Sequence, residues 1–335
     1  METRKRFARP GIHAALIIFI FVILYMLFVF SYAQYYWGMW GLLVTELGIL
    51  LIALVGMVLF NVDFKKAFPI RKIKINQIAG VILLWGGAFL LIILVSFIVL
   101  YFYPQGLETG ESLEEFASEW HPVAALLLIS VAPAICEEAL HRGVLQYCIW
   151  TTFKNRWITC FLVGLLFGIN HLDLTRLLST GILGMVMAYI LIETDNFWYN
   201  MMFHFMNNFI VEGFTYIYSY IYNSGNTIDA ATRKASMQEI IDILPLSIAC
   251  YLVIGCVIPE LLLGGAMLLK GMRRLKTWSK TKVVVSIVTA VSVSVIMLFA
   301  GMMLFVYLYS IGMIDDLSQK YDLESVLRIG TLWLG

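Results

Sequence analysis

Charge is what this sequence has least of. Its 335 residues hold 23 Lys and Arg against 22 Asp and Glu, 13% of the chain together, while 61% of residues are hydrophobic. So little charge excludes an ordinary soluble domain. The formal net charge of +1 says nothing about partners; no nucleic-acid partner is expected. Cysteine is scarce too. Cys136, Cys148, Cys160, Cys250 and Cys256 all lie in apolar stretches and form no C-x-x-C pair, so they read as buried thiols rather than a secreted-domain disulfide frame. None of the five histidines is followed by Glu, which removes the H-E-x-x-H zinc motif. No Gly-Asp dipeptide suits an aspartyl dyad, and no Gly-x-Ser-x-Gly serine site occurs. An internal repeat is also missing, which argues against a transporter with a buried ion-coupling site.

Long apolar runs dominate instead. They are continuous rather than alternating, which excludes a membrane barrel and predicts an all-α, polytopic transmembrane helical bundle of about nine spans. The expected spans cover residues 12–30, 39–60, 78–102, 122–150, 157–171, 177–192, 197–218, 244–269 and 283–309. The first follows Arg4, Lys5, Arg6 and Arg9 and is too long for a signal h-region, so a retained signal anchor is expected. Basic loops carry Lys65, Lys66, Arg71, Lys72 and Lys74, then Lys154 and Arg156, then Lys270 to Lys282. Nine spans place these and the N-terminus together on the cytoplasmic side of a cell membrane. The acidic loop with Glu108, Glu111, Glu114, Glu115 and Glu119 falls on the other side, as does the polar loop 223–239. The chain divides into three parts: residues 1–121 with three spans, 122–222 as a core of four, and 223–335 with the polar loop, two further spans and an amphipathic tail.

Polar residues enter the apolar layer on three of these spans. Glu137 and Glu138 precede Arg142 in the fourth, His171 ends the fifth, and His204 and Asn208 lie in the seventh. Glu138 and Arg142 are four apart, so they share a helix face and can neutralise one another. Glu137 is rotated by about 100° from Glu138, so its partners must come from other helices. Each feature has an ordinary explanation alone: a structural ion pair, a histidine capping a span end, hydrogen-bonding glue between helices. Together, at similar depth, they point to a site, because ionisable groups within the bilayer are costly unless paired or hydrated. Glu46 and Glu260 are read as lone carboxylates near their span ends, His13 and His121 as boundary residues, and His141 as facing away from Glu137. A carboxylate and an imidazole can share a water, take its proton and return it to a leaving amine. A second imidazole and an amide can stabilise an oxyanion. Two histidines and a carboxylate (Glu137, His171 and His204) can instead hold a zinc with an open water position. Either arrangement hydrolyses an amide.

These residues carry a resemblance. E-E-x-x-x-R (Glu137, Glu138, Arg142), F-x-x-x-H (Phe167, His171) and H-x-x-x-N (His204, Asn208) occur in that order. The set resembles the CPBP family of intramembrane proteases, which includes type II CAAX prenyl endopeptidases and bacteriocin-processing or immunity proteins. The similarity covers about residues 122 to 215. It implies that Glu137 activates water with help from His171, that His204 and Asn208 form the oxyanion pocket, and that Glu138 and Arg142 support the motif helix. A metal-dependent and a metal-free glutamate mechanism both suit the set. The implied partners are the lipid bilayer and a peptide or membrane-anchored protein substrate, prenylated at its C-terminus in eukaryotic members. The alternative is a non-catalytic immunity or peptide-binding protein that uses the same cavity.

Overall fold

The computed structural model describes residues 9–106, 122–222, 230–275 and 279–321. Among these residues every regular element is helical. The acidic loop, the first part of the polar loop, Arg4 to Arg6 and the tail beyond residue 321 lie outside them. We number the helices α1 (Ile12–Trp37), α2 (Met39–Leu59), the single turn α3 (Phe64–Ala67) and α4 (Ile75–Phe102). Helix α5 begins as Pro122–Glu138, continues through a π-helical stretch Ala139–Leu145, and ends as Gln146–Phe153. Then come α6 (Arg156–Asn170), α7 (Leu177–Thr194), α8 (Trp198–Tyr222), α9 (Ala230–Ile254), α10 (Ile258–Leu275), α11 (Lys280–Ser310) and α12 (Met313–Lys320). A 3-10 turn, Gly255–Val257, joins α9 to α10, and both run along α4.

Each of the nine expected spans coincides with helix. Among the described residues, six helical segments are long and apolar enough to cross a bilayer. The expected spans outside that set are the fourth, fifth and seventh, the three that carry the polar motifs. Helix α6 has only 15 residues, roughly 22 Å against roughly 30 Å of hydrocarbon. It is closed at its start by Lys154 in the left-handed conformation and by Asn155, whose Oδ1 accepts from the Trp157 and Ile158 amides. At that length α6 falls short of a full crossing.

Side-chain ties show which ends lie together. The Ile12 amide donates to Thr152 Oγ1 and Thr151 Oγ1 to the Pro10 carbonyl, joining the start of α1 to the end of α5. Arg71 pairs with Asp195 at 2.6 Å, and Asn196 bonds both backbone groups of Arg71, tying the loop before α4 to the turn before α8. Arg156 reaches Glu193 at 2.6 Å. Asn76 and Gln77 donate to the carbonyls of Leu268 and Leu269. All these groups belong to the ends expected on the basic side. At the opposite end Lys320 and Tyr321 hold Asp242, and Gly106 abuts Thr175. Nine alternating crossings require this grouping.

Close helix crossings rest on glycine. A methyl on Gly80 would lie 2.9 Å from the Gly265 carbonyl oxygen, which locks α4 against α10. Gly164 meets the Gly181 carbonyl at 2.6 Å by the same measure, which seats α6 on α7. Lipid supplies no hydrophobic drive between helices, so such backbone approaches carry the packing through van der Waals contact. In a cysteine-free background, single cysteines at Lys66 and Asp195 are expected to label from one side of oriented vesicles. Cysteines at Asp173 and Lys320 should label from the other, and mixed labelling within either pair would refute the nine-span arrangement.

Candidate active site

The site is built on an irregular helix. Pro133 lacks an amide hydrogen, so the carbonyl of Ile129, four residues earlier in α5, has no partner in its own helix. Asn208 of α8 supplies one, donating from Nδ2 at 3.2 Å. The carboxylates Glu137 and Glu138 follow one turn on, and directly after them the helix widens into its π-helical stretch. Such widened turns collect at functional sites because they re-aim side chains. Within this stretch Gly143 faces the Phe68 ring, where a methyl group would clash.

Glu138 and Arg142 are both fully buried. Arg142 Nη1 donates to Glu138 Oε1 at 2.8 Å, as the four-residue spacing predicts. The same oxygen accepts a second bond, from His204 Nδ1 at 2.8 Å. An ionised carboxylate only accepts, so Nδ1 carries the hydrogen and His204 Nε2 is left as the free nitrogen. That nitrogen lies 3.9 Å from Glu137 Oε2, which is buried and has no hydrogen-bond partner. Glu137 thus finds its neighbour on another helix.

The other histidines are fixed by the same logic. His171 Nδ1 lies 2.8 Å from the Phe167 carbonyl and His141 Nδ1 lies 3.0 Å from the Glu137 carbonyl. A carbonyl cannot donate, so both rings carry their hydrogen on Nδ1 and present Nε2 as an acceptor. Phe167 gathers the cluster. Arg142 stacks over its face at 4.3 Å, and the rings of His141, His171 and His204 meet it edge-on at 5.0, 5.0 and 5.8 Å. The cation over the ring face gains from the ring quadrupole, more so when desolvated as here.

The structure therefore joins Glu137, Glu138, Arg142 and His204 directly. His171 reaches them through Phe167, and Asn208 through the Ile129 carbonyl. A zinc at Glu137, His171 and His204 does not fit. Among the described residues no three His, Cys, Asp or Glu side chains converge closely enough to hold a metal ion. Glu137 and His204 alone fall short of the three protein ligands a catalytic zinc needs.

Three expectations are corrected. His141 does not face away from Glu137: four residues on, it shares that helix face, donates to the Glu137 carbonyl and joins the rings around Phe167. Glu46 is not a lone carboxylate free to reach an interface. It is 3% exposed, and α2 carries it against α5 and its π-helical stretch. Glu260 is not near a span end. It accepts from Ser294 Oγ at 2.7 Å, close to the middle of α11, on the outer surface of the bundle. The role of Phe167 was also missed, although F-x-x-x-H marked its position. So was Pro133, whose place four residues before Glu137 signals the broken ladder. Glu212, buried at 8% exposure, extends the His204 and Asn208 face by one more turn.

Residues 119–210 match the Rce1-like family model, described as type II CAAX prenyl endopeptidase Rce1-like. No curated protein and no solved structure matches the chain.

Two pairs of compensating substitutions test this framework. Arg142→Met strands the Glu138 charge and should cost roughly 3–5 kcal/mol of stability, read as a lowered thermal midpoint in detergent. Adding Glu138→Leu should recover most of that loss. Asn208→Leu leaves the Ile129 carbonyl unsatisfied, at about 1–3 kcal/mol. Pro133→Ala restores an amide donor to that carbonyl, so the double variant should be more stable than Asn208→Leu alone.

Proposed function

We propose that this chain, whose residues 119–210 match the Rce1-like family model, is an intramembrane endopeptidase in which Glu137 activates the attacking water. The observation that carries the reading is the division of labour between the two carboxylates. Glu138 is committed, its Oε1 accepting from Arg142 and His204. Glu137 is held beside it with a buried oxygen still unbonded.

A water bonded to Glu137 Oε2 and to the free His204 nitrogen at about 2.8 Å each closes a triangle on their 3.9 Å edge. Glu137 takes the proton as the water attacks the peptide carbonyl, and later returns it to the departing amine. His204 lies between Glu137 and Glu138 and, beside Asn208, lines the pocket for the oxyanion that develops on the carbonyl. The free Nε2 of His171 orients the water. Asn208 spends one Nδ2 hydrogen on Ile129 and offers the other to the same oxyanion. Glu138 and Arg142 hold His204 in place. No step passes through a metal.

Water reaches this depth from the side of the 171–176 turn, because α6 is too short to carry that turn to the bilayer surface. The substrate is a membrane-associated peptide or protein entering from the lipid. The basic ends of the bundle face the cytoplasm of a cell membrane.

The test is cleavage of prenylated and unmodified peptide libraries by purified protein in detergent. Glu137→Gln is expected to lower turnover by roughly 10²–10⁴-fold while leaving the thermal midpoint near that of the wild type. Equal cleavage by both proteins would sink the reading. No cleavage by wild type, with peptide still bound by both, would move the chain to a peptide-binding role.

A further inference from the structure

One carboxylate stands on the outside of this bundle. Among the described acids well inside the spans, Glu46, Glu137, Glu138 and Glu212 are buried, whereas Glu260 on α10 is exposed. The surface around it is apolar. Ile254 and Val257 are exposed in the turns before it, and Val291 and Val295 are exposed beside Ser294 on α11. Helix α11 is the least covered of the six long apolar segments: 6% of its most apolar stretch is buried, against 28% to 61% in the other five. Water is out of reach from here. Glu260 stands roughly 15 Å along α10 from Lys270, and its neighbour Ser294 stands roughly 21 Å along α11 from Lys280 and roughly 24 Å from Ser310.

Its hydrogen bonding within the chain is thin. Ser294 Oγ lies 2.7 Å from both Glu260 oxygens and 3.0 Å from the Ala290 carbonyl. A hydroxyl has one hydrogen, so three acceptors share a single donor, and a carboxylate with about four lone-pair sites is left largely unserved. The N-terminal end of α10 adds roughly half an elementary positive charge. An ionisable group this deep persists where something pairs with it. Lipid tails carry no donor. A second copy of this chain brings none either. Among the described residues its Lys and Arg stand at helix ends and in turns, except Arg142, which is fully buried on Glu138. A two-fold contact centred on this face would set one Glu260 against the other.

We propose that the α10–α11 face docks a transmembrane helix of a second protein, one that carries a lysine or arginine at mid-span, and that Glu260 pairs with that cation. The cation supplies both the charge and the donors that Glu260 lacks. Ser294 holds the carboxylate toward α11, so that it meets the incoming helix in one orientation. The same face continues from Ile254 into an apolar cleft of about 380 Å³ between α9 and α11, where Val253, Met302 and Phe305 form the walls. That cleft seats a large apolar side chain of the docked helix, nearer the α12 end than the cation. The face lies outside residues 119–210, and the inference does not depend on the role of Glu137.

The test uses the full chain in lipid vesicles and three fluorescent Leu/Ala-rich transmembrane peptides of about 21 residues, with Lys, Leu or Glu at the centre. Resonance energy transfer between peptide and labelled chain reports binding. Wild type should bind the Lys peptide about tenfold more tightly than the Leu peptide, and Glu260→Gln should lose that preference. Glu260→Lys should reverse it, taking the Glu peptide in place of the Lys peptide. If Glu260→Lys fails to fold, the lost preference of Glu260→Gln carries the test. Thermal midpoints of the free chain separate docking from an internal strut. Glu260→Leu removes an exposed carboxylate from lipid and should leave the midpoint level or raise it. A lowered midpoint, with peptide preference unchanged in Glu260→Gln, makes Glu260 a strut between α10 and α11 and overturns the proposal. Equal binding of the Lys and Leu peptides by wild type overturns it as well. So does energy transfer between donor- and acceptor-labelled copies of the chain that Glu260→Leu abolishes, since the face then belongs to self-association.

Discussion

One buried oxygen organises this molecule. Glu138 Oε1 accepts from Arg142 within its own helix and from His204 on α8, both at 2.8 Å. Taking a carboxylate and a guanidinium out of water costs several kcal/mol per ion, and the cost is met only where geometry is good and further hydrogen bonds are made. Here the third partner is an imidazole from a different helix. The same contact that neutralises the charge therefore docks α8 on α5 and fixes which nitrogen His204 presents. Phe167 completes the enclosure from α6, its face covered by Arg142 and its edge ringed by three histidines.

The irregularities of α5 serve the same end. Pro133 opens the helix one turn before the carboxylates, and the π-helical stretch reopens it directly after them. A regular helix in lipid satisfies every backbone group internally and offers nothing to its neighbours. A broken one must find outside partners, because hydrocarbon supplies none. Asn208 is that partner for the Ile129 carbonyl, and His141 turns its Nδ1 hydrogen to the Glu137 carbonyl. Irregular backbone at this depth is thus a means of joining helices, and it places reactive groups at the join.

The surrounding helices pack against those that carry the site. The matched domain ends well short of both termini. Yet α2 packs along α5 and its π-helical stretch with Glu46 buried on it, and α4 crosses α10 closely at Gly80 and Gly265.

Much was legible in the sequence. Continuous apolar runs determine an all-helical membrane bundle, because a backbone in hydrocarbon has few other solutions. The four-residue spacing of Glu138 and Arg142 determines their pairing, since a helix fixes which of its own side chains meet. The rotation of Glu137 away from that pair likewise followed from helical geometry, as did the need for a partner from elsewhere. What the partner is, the sequence left open. That His204 turns Nδ1 to Glu138 rather than to Glu137, that Asn208 answers Pro133, and that Glu46 is buried on a helix packed against α5 are decisions of packing between helices far apart in the chain. Sequence periodicity gives the face a residue occupies on its own helix. Only the tertiary structure decides what that face is pressed against.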